Sequence, residues 1–183
     1  MFILGFICLT VISVNGLAVR PMLKEQNYTD KQTIFRKKLA STAQQYLGIR
    51  EKTGRNDGPQ IEQFLKVVNL KKGDPWCGAF ISWLFHKMGR LKPRSGWTPD
   101  LFPNSRLTKL ALTGNLIGIY FPEKKRIAHV GMIECLDGDW IIAIEGNTNL
   151  QGSREGDGVY RKRRHKRSVA KISDWVSQER KLP

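Results

Sequence analysis

Asp74-Pro75-Trp76-Cys77-Gly78-Ala79-Phe80-Ile81-Ser82-Trp83-Leu84-Phe85-His86-Lys87-Met88-Gly89 reads as one helix with its start and stop signals in place. Asp74 suits the cap, Pro75 the first helical position, and Gly89 the stop. The interior (Ala79, Phe80, Ile81, Trp83, Leu84, Phe85) is apolar on nearly every side, which predicts a central, buried helix. Cys77 falls in its first turn. Unsatisfied N–H groups and the helix dipole lower a thiol's pKa there, so this is where a nucleophilic cysteine would be placed.

Before this helix, Ile34, Phe35, Leu39, Ala43, Tyr46 and Leu47 recur at three- and four-residue spacing, predicting an amphipathic helix over 30–47 capped at Asp30 or Thr33. A polar, glycine-punctuated loop covers 48–58. Pro59 then opens a second helix with Ile61, Phe64, Leu65 and Val68 on one face. After it, residues 90–104 form a Pro-, Gly- and Ser-rich loop, and a short helix is expected near 105–112. Leu116–Phe121, Ala128–Leu136, Trp140–Glu145 and Gly158–Arg164 are short, mostly β-branched or aromatic runs separated by turn residues, which read as strands. Helices first and antiparallel strands afterwards describe an α+β domain.

The 183 residues suffice for one domain of ordinary size. The run Phe2–Val14 is apolar except for Thr10 and Ser13. It ends at Asn15-Gly16-Leu17-Ala18, whose small residues suit a signal peptidase. Residues 1–18 are therefore expected to be a cleaved signal peptide, 19–30 an N-terminal extension and 31–183 the domain, in a secreted or periplasmic protein. The formal charge is +15, from 31 Lys and Arg against 16 Asp and Glu. Such a balance favours an anionic partner. With export expected, an anionic wall polymer fits better than nucleic acid. Contact with membrane is expected only through the signal segment, and the protein is expected to be a monomer.

A thiolate needs a base within hydrogen-bond reach and a third group to orient that base. His86 lies well down the helix from Cys77. His165 stands in Arg161-Lys162-Arg163-Arg164-His165-Lys166-Arg167, which reads as a solvated basic edge. His129 begins a strand expected to pack on the helix, and Glu145-Gly146-Asn147 ends the next one. Glu145 and Asn147 point to the same side of an extended strand, and either could fix the imidazole tautomer. A three-residue loop at 137–139 pairs Leu136 with Trp140 and thereby sets His129 opposite Asn147 and Gly131 opposite Glu145. A two-residue turn reverses the face of His129, so this chemistry requires the odd-length loop or an equivalent bulge.

Pro75-Trp76-Cys77-Gly78-Ala79-Phe80, then Ala128-His129-Val130-Gly131, then Glu145-Gly146-Asn147-Thr148-Asn149 resembles the CHAP family, the cysteine, histidine-dependent amidohydrolase/peptidases. Any one motif is weak; their order and spacing together are specific. The resemblance runs from about Leu39 to the C-terminal strand. It implies a papain-like fold and cleavage of peptidoglycan, either at the N-acetylmuramoyl-L-alanine bond or within the stem peptide and cross-bridge. It also implies Cys77 as nucleophile, His129 as base, Glu145 as orienting carboxylate and Asn147 as an auxiliary polar partner. Trp76 stands where the family often has Gln, so the oxyanion hole is assigned to the Cys77 N–H and a second, unidentified donor. No metal or cofactor is implied.

Cys135, inside an apolar strand, is expected to be structural, with a Cys77–Cys135 disulfide as the competing reading in an oxidising compartment. Trp76 and Trp97 are candidate substrate contacts. Core packing suits Trp76, Trp140 and Trp175 better, and Trp97, in the polar loop, is the exposed one. Two other functions remain open at this stage: a non-catalytic domain that binds anionic glycan or wall polymer, and an interbacterial toxin or protein-cleaving peptidase.

Overall fold

The computed structural model of the chain describes residues 19–150 and 156–177; the expected signal peptide lies outside them. Contacts gather the chain from Gln32 onward into one compact unit, separate from the stretch ending at Lys31. Helix α1 spans Val19–Gln44, so Asp30 and Thr33 lie inside it and cap nothing. Leu23, Lys24, Glu25 and Gln26 are good helix formers, and Pro21 falls in the first turn, where its missing N–H costs nothing. Helix α2 covers Pro59–Val67 and buries Ile61, Phe64 and Leu65.

Helix α3 runs Cys77–Lys87, with Cys77 through Phe85 all buried. It starts two residues later than its sequence signals suggest. The Asp74 carboxylate instead accepts the Lys71 N–H at 2.7 Å, and the Trp76 N–H, ahead of the first helical turn, donates to Asn147 Oδ1 at 3.3 Å. The loop after α3 is docked on it. Ser82 Oγ donates to the Ser95 carbonyl and accepts the Ser95 N–H, each at 3.0 Å. A Cβ on Gly78 would come within 2.9 Å of the Gly96 carbonyl oxygen, so Gly78 permits the close approach.

The strands are β1 (Leu107–Thr108), β2 (Leu116–Phe121), β3 (Arg126–Asp137), β4 (Trp140–Thr148), β5 (Gly158–His165) and β6 (Lys171–Ser173). They form one antiparallel sheet in the order β1-β6-β2-β3-β4-β5. The helix expected near 105–112 is instead a single turn at Asn104–Arg106 running into β1. Leu107 and Thr108 pair with Ser173 and Ile172, a long-range contact that local sequence does not announce.

The β3–β4 hairpin turns on two residues, since Asp137 pairs with Trp140. This is not the three-residue loop, but a bulge at Glu134 makes up the difference. Beyond it Ile133 pairs with Ala143 and Met132 with Ile144, and Gly131 lies against the Glu145 side chain. The bulge is pinned by Arg161, whose Nε and Nη2 donate to Glu134 at 2.6 and 2.8 Å. Past it the end of β3 is exposed from Cys135 to Asp137. This corrects the reading of Cys135 as a small core hydrophobe.

Phe64, Trp76, Phe80, Trp83 and Leu84 of the helical layer meet Leu116, Val130, Met132 and Ile144 of the sheet in the main core. Ile117, Ile133, Ile141 and Ala143 make a second, smaller cluster. Trp175 packs at the edge of the main core and donates its indole N–H to the Leu101 carbonyl at 2.9 Å. Trp140 does not join the core. It is half-buried on the hairpin between Arg163 and His165.

Candidate active site

Cys77 is the first residue of α3, and the start of β3 brings His129 to it. The imidazole Nε2 lies 2.8 Å from Glu145 Oε2. An ionised carboxylate only accepts, so Nε2 carries the proton and Nδ1 is left for the sulfur. The Cys77 Sγ and the His129 ring line the same hollow and influence each other's protonation, and the sulfur lies 3.8 Å from Thr98 Oγ1. Among the described residues neither Cys77 nor Cys135 is in a disulfide.

Two glycines of the sequence motifs make room for this arrangement. A Cβ on Gly131 would stand 2.7 Å from Glu145 Cγ. One on Gly146 would stand 2.7 Å from the Trp76 ring and 2.9 Å from Phe80.

The electrostatics favour an ion pair. Burial alone would push the Cys77 thiol up. The His129 hydrogen bond and charge, Thr98 and the Gly78 N–H outweigh it and hold the thiol below its ordinary value. Burial alone would likewise lower His129, yet its bonds to Cys77 and Glu145, with their charges, raise it to about 9. Glu145 is fully buried. Desolvation favours its neutral form, and Arg164 and His129 overcome that and bring it to about 2.

Arg164 is a partner of Glu145 that the local sequence pattern does not single out. Its Nε donates to Glu145 Oε1 at 2.8 Å and its Nη2 to Oε2 at 2.7 Å, a bidentate grip on the orienting carboxylate. In sequence it stands inside the basic run 161–167, which reads as a solvated edge. The available signal was the alternation along β5, where Tyr160, Lys162 and Arg164 share a side and Tyr160 pairs with Glu145.

Asn147 lines the same hollow as His129 but makes no hydrogen bond to the imidazole. Its φ of +53° interrupts the extended strand at an irregularity between Glu145 and Thr148, so the expected alternation with Glu145 fails. Its Oδ1 accepts the Trp76 N–H. Its Nδ2 donates to Asn56 Oδ1 at 2.9 Å and to Glu51 Oε1 at 3.3 Å. It ties the 51–58 loop to the head of α3.

Trp76 has no exposed surface; it stacks near Phe64 and Phe80 and donates its indole N–H to Glu51 at 2.8 Å. Its reading as a substrate contact is therefore corrected. Trp97 is 52% exposed, with the Arg126 guanidinium 3.9 Å above its ring. His86 is exposed. The His165 Nδ1 accepts the Arg167 N–H, so neither of these histidines reaches Cys77.

Two hollows meet at the sulfur. One, of ≈ 490 Å³, is lined by Arg55, Asn56, Cys77, Lys124, His129 and Asn147 among others. The other, of ≈ 260 Å³, includes Leu70, Cys77, Gly96, Trp97, Thr98 and Arg126. Another surface hollow, ≈ 630 Å³ over β1 and β6, has no cysteine, histidine or acid among the described residues of its lining, so these offer no nucleophile or base. No group of three or more His, Cys, Asp and Glu suited to a metal occurs among the described residues. Comparisons with protein-family models, curated proteins and solved structures give no match.

Proposed function

We propose that this chain is a secreted cysteine hydrolase with a papain-like fold, related to the CHAP amidohydrolase/peptidases, that cleaves an amide bond of peptidoglycan. The observation that carries the hydrolase reading is the Glu145–His129–Cys77 relay at the head of a buried helix. The peptidoglycan reading rests on the three motifs and on the +15 charge, which suits an anionic polymer.

In this reaction the Cys77 thiolate adds to the amide carbonyl, and the oxyanion is received by the Cys77 N–H and a second donor. Among the described residues that N–H has no backbone acceptor. His129 gives its Nδ1 proton to the departing amine as the C–N bond breaks, leaving an acyl-thioester. Water then loses a proton to Nδ1 and attacks the thioester, the C–S bond breaks as the carboxylic acid product forms, and Cys77 leaves as the thiolate beside the imidazolium, which restores the starting ion pair. Glu145 holds the imidazole and stabilises its cationic state throughout.

The test is digestion of purified sacculi, with mass spectrometry of the soluble products. Wild-type protein is expected to release muropeptides with a new amine and a new carboxylate at one bond, and Cys77→Ala to release none. Equal null results for both proteins on several wall chemotypes would refute the hydrolase and favour a domain that only binds anionic glycan.

A further inference from the structure

The hollow lined by Arg55 and Lys124 has a pronounced charge imbalance. Among the described residues its lining carries these two cations beside His129 and no Asp or Glu. Four acids on the described loops around it are engaged elsewhere. Glu51 takes the Trp76 indole and the Asn56 N–H. Asp57 takes the Thr53 N–H and hydroxyl and faces Lys72 at 3.5 Å. Asp74, on the other hollow, takes the Lys71 N–H, and Asp157 takes the Tyr160 hydroxyl.

Arg55 stands at the tip of a loop that is fixed along its length. Lys52 donates to the Asp57 carbonyl at 3.0 Å, and Asn56 N–H to Glu51 at 2.8 Å. Asn56 exchanges two bonds with the Gly73 backbone, both at 3.1 Å, and accepts from Asn147. The Arg55 side chain is exposed and makes no hydrogen bond or ion pair with any described residue. Lys124 projects from the turn Pro122–Lys124 with its ammonium over the Phe121 ring, and it lines both hollows, as Cys77 does. A rigid loop that holds an unpartnered guanidinium over one arm of the cleft, with an ammonium at the junction, is built to receive an anion.

We propose that Arg55 and Lys124 form a carboxylate-reading subsite, and that the substrate carries a free carboxylate within one or two residues of the scissile amide. This deepens the hydrolase reading and rests on it for the word substrate. The anion-reading property itself does not depend on turnover.

Two measurements keep these apart. First, Cys77 is alkylated with iodoacetate and, separately, with iodoacetamide, and the rates are followed by mass spectrometry of the intact chain. The probes differ by one charge, so the iodoacetate-to-iodoacetamide ratio reports the field at the sulfur, to which His129 contributes equally in all variants. Arg55→Gln and Lys124→Gln are each expected to lower that ratio about threefold or more relative to wild type; an unchanged ratio in both overturns the subsite. Second, a soluble muropeptide digest is compared with the same digest after its carboxylates are converted to primary amides. Wild type is expected to prefer the native digest about tenfold, and the preference to collapse in both variants. A preference that survives both substitutions also overturns the subsite. If wild type cleaves neither digest, the hydrolase reading fails, and the alkylation ratio alone decides the subsite.

Discussion

The Arg164 guanidinium holds both oxygens of Glu145, one of which also receives the His129 imidazole. The buried Glu145 carboxylate is thus clamped from two sides, with no water access of its own. In the proposed reaction Arg164 touches no reacting atom and would act through Glu145, as a positioning residue.

Arg164→Met leaves a buried carboxylate with one partner. The expected cost is about 2 kcal/mol of stability and a loss in kcat/KM of about 10- to 100-fold. The diagnostic readout is the pH–rate profile. Arg164 is foremost among the groups lowering Glu145, so the acid limb of activity should move to higher pH in the variant. A profile of wild-type shape, scaled down only by the folded fraction, would mean that the clamp merely stabilises the fold.

The opposed shifts of His129 and Glu145 set a window for stability. His129 is raised from 6.5 to about 9, so its contribution is complete below pH 6.5 and lost as pH rises through 9. Glu145 is lowered from 4.5 to about 2, so its contribution is complete above pH 4.5 and lost as pH falls through 2. Denaturant midpoints should therefore be higher near pH 5.5 than at pH 9.5 or 2.5. Cys77→Ala removes a hydrogen bond and a charge that raise His129, so the His129 ring, followed by NMR, should titrate at lower pH in that variant. Titration of His129 at an unchanged pH would show that thiol and imidazole are not paired.

Gly131 and Gly146 separate catalytic from structural crowding. In Gly131→Ala the new methyl meets the Glu145 side chain, and in Gly146→Ala it meets Trp76 and Phe80 in the main core. Gly146→Ala should lower stability by about 1–3 kcal/mol, the usual cost of overpacking. Gly131→Ala should lose activity well beyond its loss of stability. Parallel thermal melts and rates decide it, and proportional losses in both variants would contradict the distinction.

The residues that carried local signals were the legible ones. Pro59 and the apolar spacing placed α2, the apolar run of 77–88 placed α3, and Asp137-Gly138-Asp139 marked the hairpin between two strands. Cys77, His129 and Glu145 followed from chemistry plus register parity. The bulge at Glu134 satisfied that parity by a different route from the loop length, because the ladder needs one extra residue and not any particular position for it. What escaped depended on long-range partners. Leu107 and Thr108 became a strand only because β6 returns to them from residue 171. Arg164 looked like one more charge in a basic run, since nothing within that run reveals a buried carboxylate on the neighbouring strand. Asn147 was misdirected for a backbone reason, its positive φ.

That φ makes Asn147 a residue with two separable jobs. Asn tolerates the left-handed region better than most side chains, and glycine tolerates it best. The Asn147 amide meanwhile bridges Trp76, Asn56 and Glu51. Asn147→Gly keeps the backbone and removes the bridge; Asn147→Ala removes the bridge and adds about 1 kcal/mol of backbone strain. The glycine variant should therefore be the more stable of the two, while both release the 51–58 loop and slow Cys77 alkylation by iodoacetate relative to iodoacetamide as Arg55 loses its fixed position. Amide hydrogen exchange of residues 52–57 should accelerate in both. Exchange as slow as wild type in Asn147→Gly would show that Glu51, Asp57 and Gly73 hold the loop without Asn147.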